Sequence, residues 1–150
     1  MAEVLFYHLT QSTLEDALPQ LLLKTLERGW RAVLQATSQA RIDTLDEHLW
    51  TFRDESFLPH AQAGTPREAE QPLVLTVGDG NPNAATVRFF VEGAVPDGDL
   101  EAYQRCVLMF DGEDAEQLAA AREAWKTLKG EGHEVTYWQQ SPDRRWQKKA

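Results

Sequence analysis

Apolar residues along the chain fall into short continuous runs and helically spaced sets, and the alternation of the two predicts its elements. The runs Val4–Leu9 (VLFYHL), Arg31–Thr37 (RAVLQAT), Leu73–Val77 (LVLTV), Val87–Val91 (VRFFV), Cys106–Phe110 (CVLMF) and Val135–Trp138 (VTYW) read as strands. After the first run, Leu14, Leu18, Leu21, Leu22 and Leu26 share a helical face, with Ser12 and Glu15 at capping-box spacing and Gly29 as the stop. Pro19 cannot donate to the carbonyl four residues back, so a kink is expected there, or a separate first turn before a main helix starting near Leu18. Ser38 can cap a second helix carrying Ile42, Leu45 and Leu49, and Asp99 can start a short one through Tyr103. Asp114 opens a last long helix, with Leu118, Ala121, Trp125 and Leu128 along one side and Gly130 or Gly132 at its end. The polar segment Ala61–Gln71, with Gly64 and Pro66, reads as a mobile surface loop, and GDGNPN (Gly78–Asn83) joins two strands as a plain turn. Strand, helix, strand at the start implies a right-handed parallel βαβ unit, and the continued alternation implies a three-layer α/β domain.

The stretch Leu45–His60, LDEHLWTFRDESFLPH, departs from this regularity. Leu49, Trp50, Phe52, Phe57 and Leu58 lie within ten residues, more than one buried helical face holds easily. Trp50 and Phe57 read either as a clasp fixing the helix end to the core or as part of an apolar pocket for a partner.

At 150 residues the chain can bury a core without metals or disulfides, and its one cysteine, Cys106, makes no internal bridge. The N-terminal MAEVLFYHLTQS lacks the basic start of a signal peptide, and no apolar run reaches membrane-spanning length, so a soluble, cytoplasmic protein is expected. The net charge of -9 argues against nonspecific attachment to a phosphate backbone. Its distribution is uneven. Residues 1–121 hold 8 Lys/Arg and 20 Asp/Glu, a net of -12, whereas residues 122–150 hold 7 and 4, a net of +3. Such a basic C-terminal part suits a localised site for an acidic partner.

Catalytic chemistry finds little support. GDGNPN follows a strand as a phosphate loop would, but has no lysine and no following helix. The Asp46–His48 triplet sits inside a helical pattern, not at a strand end where a magnesium-binding pair belongs. Asp54, Ser56 and His60 have triad residue types without a geometry, and four scattered histidines with one cysteine give no zinc spacing. No catalytic residue, metal or cofactor is assigned.

One constellation remains. Arg122 and Lys126 lie four apart on the last helix, Trp125 lies between them and Lys129 follows one turn on. This reads either as a core tryptophan with solvated cations, or as a carboxylate-binding surface with an apolar floor.

LDEHLW, then SFLPH, then AREAWK resemble the chi subunit family of bacterial DNA polymerase III over nearly the whole chain in order, and TYWQQ followed by RRWQKKA looks like the alphaproteobacterial branch. The resemblance implies a single Rossmann-like domain over residues 1–150, an α/β fold whose mostly parallel sheet is flanked by helices, without nucleotide chemistry. It implies a non-catalytic accessory subunit linking the clamp loader, through a psi-like subunit, to single-stranded DNA-binding protein, whose acidic tail ends in Asp-Ile-Pro-Phe. DNA is then contacted only indirectly, a helicase-like partner is possible, and the chain is a monomer. The terminal Phe calls for an apolar pocket, for which Trp50, Phe57 and Phe110 are the candidates, walled by Trp125, while Arg122 and Lys126 meet the carboxylates. Trp50 and Phe57 can instead serve the psi-like or helicase-like partner, leaving the tail to the last helix. The longer Gly78–Asp99 segment and the added Arg144, Arg145, Lys148 and Lys149 depart from enterobacterial members. The alternative function is a small nucleotide-binding or nucleotide-hydrolysing enzyme using Gly78–Asn83.

Overall fold

A computed structural model of the chain describes residues 3–51, 59–78, 80–96, 100, 102–143 and 145–150. In chain order its elements are β1 (Glu3–Leu9), α1 (Leu14–Glu27), β2 (Ala32–Gln35), α2 (Gln39–Thr51), β3 (Ala61–Gln62), β4 (Leu73–Thr76), β5 (Val87–Phe90), β6 (Arg105–Asp111), α3 (Ala115–Gly130), β7 (Glu134–Gln140) and β8 (Trp146–Lys148). They build an α/β fold around one eight-stranded sheet of order β3-β4-β2-β5-β6-β1-β7-β8, parallel throughout except for β7 against β8.

Side chains alternate across the sheet and divide the core into two layers. Ala32, Leu34, Leu73, Leu75, Phe89, Val107 and Met109 point to one face, where Leu18 and Leu22 of α1 and Ile42, Leu45 and Leu49 of α2 cover them. Val4, Phe6, Phe90, Cys106, Leu108 and Phe110 point to the other, beneath Ala121 and Leu128 of α3. The neighbouring strands β1 and β6 therefore send their helices to opposite faces, which places a topological switch point at their carboxyl ends.

Several local expectations are corrected. The cap of α1 is Thr13, whose hydroxyl accepts from the Asp16 N–H; the Ser12 hydroxyl is taken by Gln140 Nε2 at 3.0 Å. Pro19 neither splits α1 nor starts it, and the helix runs unbroken from Leu14 to Glu27. The expected loop at Ala61–Gln71 contains the short edge strand β3 and a 3-10 turn at Glu68–Glu70. The last predicted strand is longer, and an unexpected antiparallel strand, β8, pairs with it. The short helix expected from Asp99 begins outside the described residues.

Residues 77–86 are not a turn between adjacent strands, because β2 lies between β4 and β5. The described residues of this stretch form no helix, and the crossover is held by Arg88, which is 2% exposed. Its guanidinium donates to the carbonyls of Gly78 (2.7 Å) and Gly80 (2.8 Å), to Gln35 Oε1 and to the Tyr103 hydroxyl. A single planar fork with five donors thereby supplies what a covering helix would otherwise satisfy internally.

Candidate functional site

The site lies between α3 and the strands β6, β1 and β7. Parallel register sets Phe6 beside Leu108 and Tyr137, and His8 beside Phe110, so alternate residues of three strands form one aromatic floor. The Asp114 carboxylate caps α3 by accepting from the N–H groups of Glu116 and Gln117. Successive turns of that helix then bring Leu118, Arg122, Trp125 and Lys126 over the floor. Together they enclose an open hollow of about 360 Å3, lined mainly by apolar surface.

Trp125 is half-buried, packed on the floor and open to the hollow. Its ring meets Phe6 edge-on with centroids 5.3 Å apart and Tyr137 at 6.4 Å, while the same ring lines the hollow. Arg122 and Lys126 are exposed at the rim, and neither forms an ion pair among the described residues. Lys129 lies over the Trp125 ring, 5.8 Å from its centroid. Deeper in, His8 stacks on Phe110 at 4.8 Å and its Nδ1 shares a 2.5 Å hydrogen bond with the Tyr137 hydroxyl. Burial lowers the His8 pKa, opposed by the Asp111 carboxylate. Burial raises that of Tyr137, opposed by the Arg122 guanidinium.

Of the six residues singled out from the sequence, the structure gathers Phe110, Arg122, Trp125 and Lys126. Trp50 is not among them. It projects from α2 in the opposite layer, 49% exposed, with its ring 4.1 Å from that of His60. The pairing of Trp50 with Arg122 and Lys126 in one surface is thus corrected, because the sheet separates α2 from α3. Phe57 lies outside the described residues, as do Asp54 and Ser56. His60 itself is tied to α2, its Nε2 lying 2.8 Å from Asp46 Oδ1. Sequence reasoning missed Phe6, His8 and Tyr137. Their place in the site follows from β1 standing between β6 and β7, an order that no local pattern announces.

In the loop of the nucleotide alternative, the described backbone groups of Gly78 and Gly80 are engaged within the protein. The Gly78 and Gly80 carbonyls point to Arg88, and the Gly78 N–H is directed to Thr76 Oγ1. The crevice at the switch point is also acidic: Glu15, Asp16, Glu92, Asp111 and Glu113 line it against Arg41, which is already paired with Glu15 and Glu92. No group of three or more potential metal ligands occurs among the described residues, and no described helix is long and apolar enough to cross a membrane.

Residues 1–136 match the family model described as DNA polymerase III chi subunit, HolC. The chain is 29% identical over 87 residues to the probable DNA polymerase III subunit chi of Rickettsia prowazekii, covering 58% of this chain and 53% of that protein. It is 33% identical over 85 residues to the DNA polymerase III subunit chi of Pseudomonas aeruginosa, covering 51% of this chain and 58% of that protein. The matched stretch thus spans little more than half the length of these curated relatives. With a family match reaching from the first strand into β7, the chain belongs to the DNA polymerase III chi subunit family.

Proposed function

We propose that the hollow beneath α3 binds the acidic C-terminal tail of single-stranded DNA-binding protein. The observation that carries this reading is the combination of an aromatic pocket with two cations that have no ion-pair partner among the described residues. Phe110, Trp125 and Tyr137 offer apolar surface to a terminal phenyl ring, and Arg122 and Lys126 stand where a free carboxylate and preceding acidic residues would lie. The chain then acts as a non-catalytic, monomeric, cytoplasmic adaptor, joining that tail to the clamp loader through a psi-like subunit. Trp50, exposed in the other layer, is the candidate contact for that subunit or for a helicase-like protein, so two partners can be held at once.

The experiment is a titration with a tail peptide across a salt series. Binding weakens with salt, and Arg122→Ala or Lys126→Ala weakens it at least about tenfold, roughly 1.4 kcal/mol. Both residues are exposed, so the thermal transition stays unchanged. Variants that hold the peptide as tightly as the parent would show the site to be elsewhere.

A further inference from the structure

The sheet face opposite Trp125 carries a second concentration of aromatic rings. Tyr7 of β1, Trp138 of β7 and Trp146 of β8 are half-buried there, with the Tyr7 ring 6.2 Å from Trp138 and 4.7 Å from Trp146. Two hollows of about 250 and 420 Å3 lie between this part of the sheet and α1, and they share Leu21, Lys24 and Trp146. They form one trough.

The rim of the trough is cationic. Lys24 lies in the last turn of α1 and Arg28 caps its C-terminus, Arg105 lines the first hollow and Arg145 the second. The guanidinium groups of Arg28 and Arg105 both lie over the Trp30 ring, at 5.0 and 5.3 Å. Glu3 pairs with Arg105 at 3.0 Å, Asp143 with Arg145 at 3.4 Å, and Asp16 lines the outer hollow. Lys24 and Arg28 have no ion pair among the described residues and are exposed.

We propose that this trough binds a short stretch of single-stranded DNA, with bases against Tyr7, Trp138 and Trp146 and phosphates along Lys24, Arg28 and Arg145. Cations along a rim and an aromatic floor are the two features that single-strand binders combine, and stacking on such rings needs no particular sequence. An acidic peptide would use the cations but leave the line of rings without stacking partners. Membership of a DNA polymerase subunit family selects DNA as the strand. The resemblance implied only indirect contact with DNA, and the net charge of -9 argues against nonspecific attachment to a phosphate backbone; the fold gathers cations from the end of α1, from β6 and from the segment before β8 that are dispersed along the chain. Trp138, Trp146 and β8 lie beyond residue 136, where the family match ends.

The test uses the full chain and a labelled oligothymidylate of roughly 12 nucleotides, within the site sizes of single-strand binders. Anisotropy rises on binding, tryptophan fluorescence is quenched, and affinity falls between about 50 and 200 mM salt. Lys24→Gln with Arg28→Gln lowers affinity at least about tenfold and reduces the salt slope by about 1.4, two phosphates at about 0.7 each. Trp146→Ala diminishes the quenching. Three results overturn the proposal: no anisotropy change at the lowest salt, equal binding by the Lys24, Arg28 double variant, or equally tight binding of an oligoglutamate peptide of matching charge. The last would assign the trough to an acidic protein. The readout does not involve Arg122 or Lys126, so the tail site and this trough stand or fall separately.

Discussion

His48 Nε2 donates to the carbonyl of Glu15 at 2.7 Å, the one α1 carbonyl that Pro19 leaves without its helical N–H. A defect in one helix thereby becomes a tie to the next, and α1 stays continuous through its proline. Removing the donor by His48→Ala leaves that carbonyl unsatisfied and costs about 1–2 kcal/mol in urea unfolding. In Pro19→Ala the helix supplies its own donor, so the cost of His48→Ala shrinks there, with a coupling energy of at least about 0.5 kcal/mol across the cycle. Equal costs in both backgrounds would show the two residues to be independent.

Arg88 fixes the 77–86 crossover through buried hydrogen bonds to two carbonyls, Gln35 and Tyr103. Arg88→Leu strands all of these partners at once. Each charge-assisted bond contributes about 1.5–3 kcal/mol, so a total loss of at least about 3 kcal/mol is expected. Chemical denaturation measures it. Because the site beneath α3 uses none of these groups, a folded population of the variant retains tail binding.

Gly112 lies where a side chain cannot. A methyl group built there would overlap the His8 imidazole, which is itself held between Phe110 and the Tyr137 hydroxyl. Gly112→Ala therefore displaces His8 and disturbs the aromatic floor without touching Arg122 or Lys126. Tail affinity falls several-fold, while the salt dependence keeps the parent's slope.

The lowered His8 pKa fixes the sign of a pH effect. The unfolded chain takes up the proton at the ordinary value of 6.5, before the folded chain does, so stability is greatest above that value and declines as pH falls through it toward the folded pKa. His8→Gln removes this contribution. Thermal unfolding between about pH 5 and 7 should show a flatter profile for the variant than for the parent; identical profiles would remove His8 as the source.

Burial pushes the Cys106 thiol up to about 12, opposed by Arg88. The thiolate is the reactive form, so native protein at neutral pH resists a thiol-exchange reagent and reacts fully once unfolded. Rapid labelling of native protein would contradict the placement of Cys106 on a central strand.

Period and composition made the elements legible, since a strand such as CVLMF and a helix such as α3 each advertise a buried face. Strand order was not legible. Parallel neighbours β1 and β6 are about a hundred residues apart, and their pairing depends on the whole core; without it His8, Phe6 and Tyr137 could not be joined to Phe110. Trp50 shows the converse error. The resemblance offered it either to the pocket beside Trp125 or to another partner, and the layer in which a helix packs decides which side chains meet. Ser12 offered a capping pattern that Gln140, distant in sequence, took for itself. β8, three residues long, carries too little pattern to be recognised.

The central claim, that the α3 hollow takes the terminal phenylalanine of an acidic tail, is tested most directly by calorimetric titration with two peptides. One ends in Asp-Ile-Pro-Phe with its free carboxylate; the other lacks the final Phe. Saturable one-to-one binding of the complete peptide alone is the predicted result. Equal binding of both peptides, or no binding of either at low salt, would contradict it.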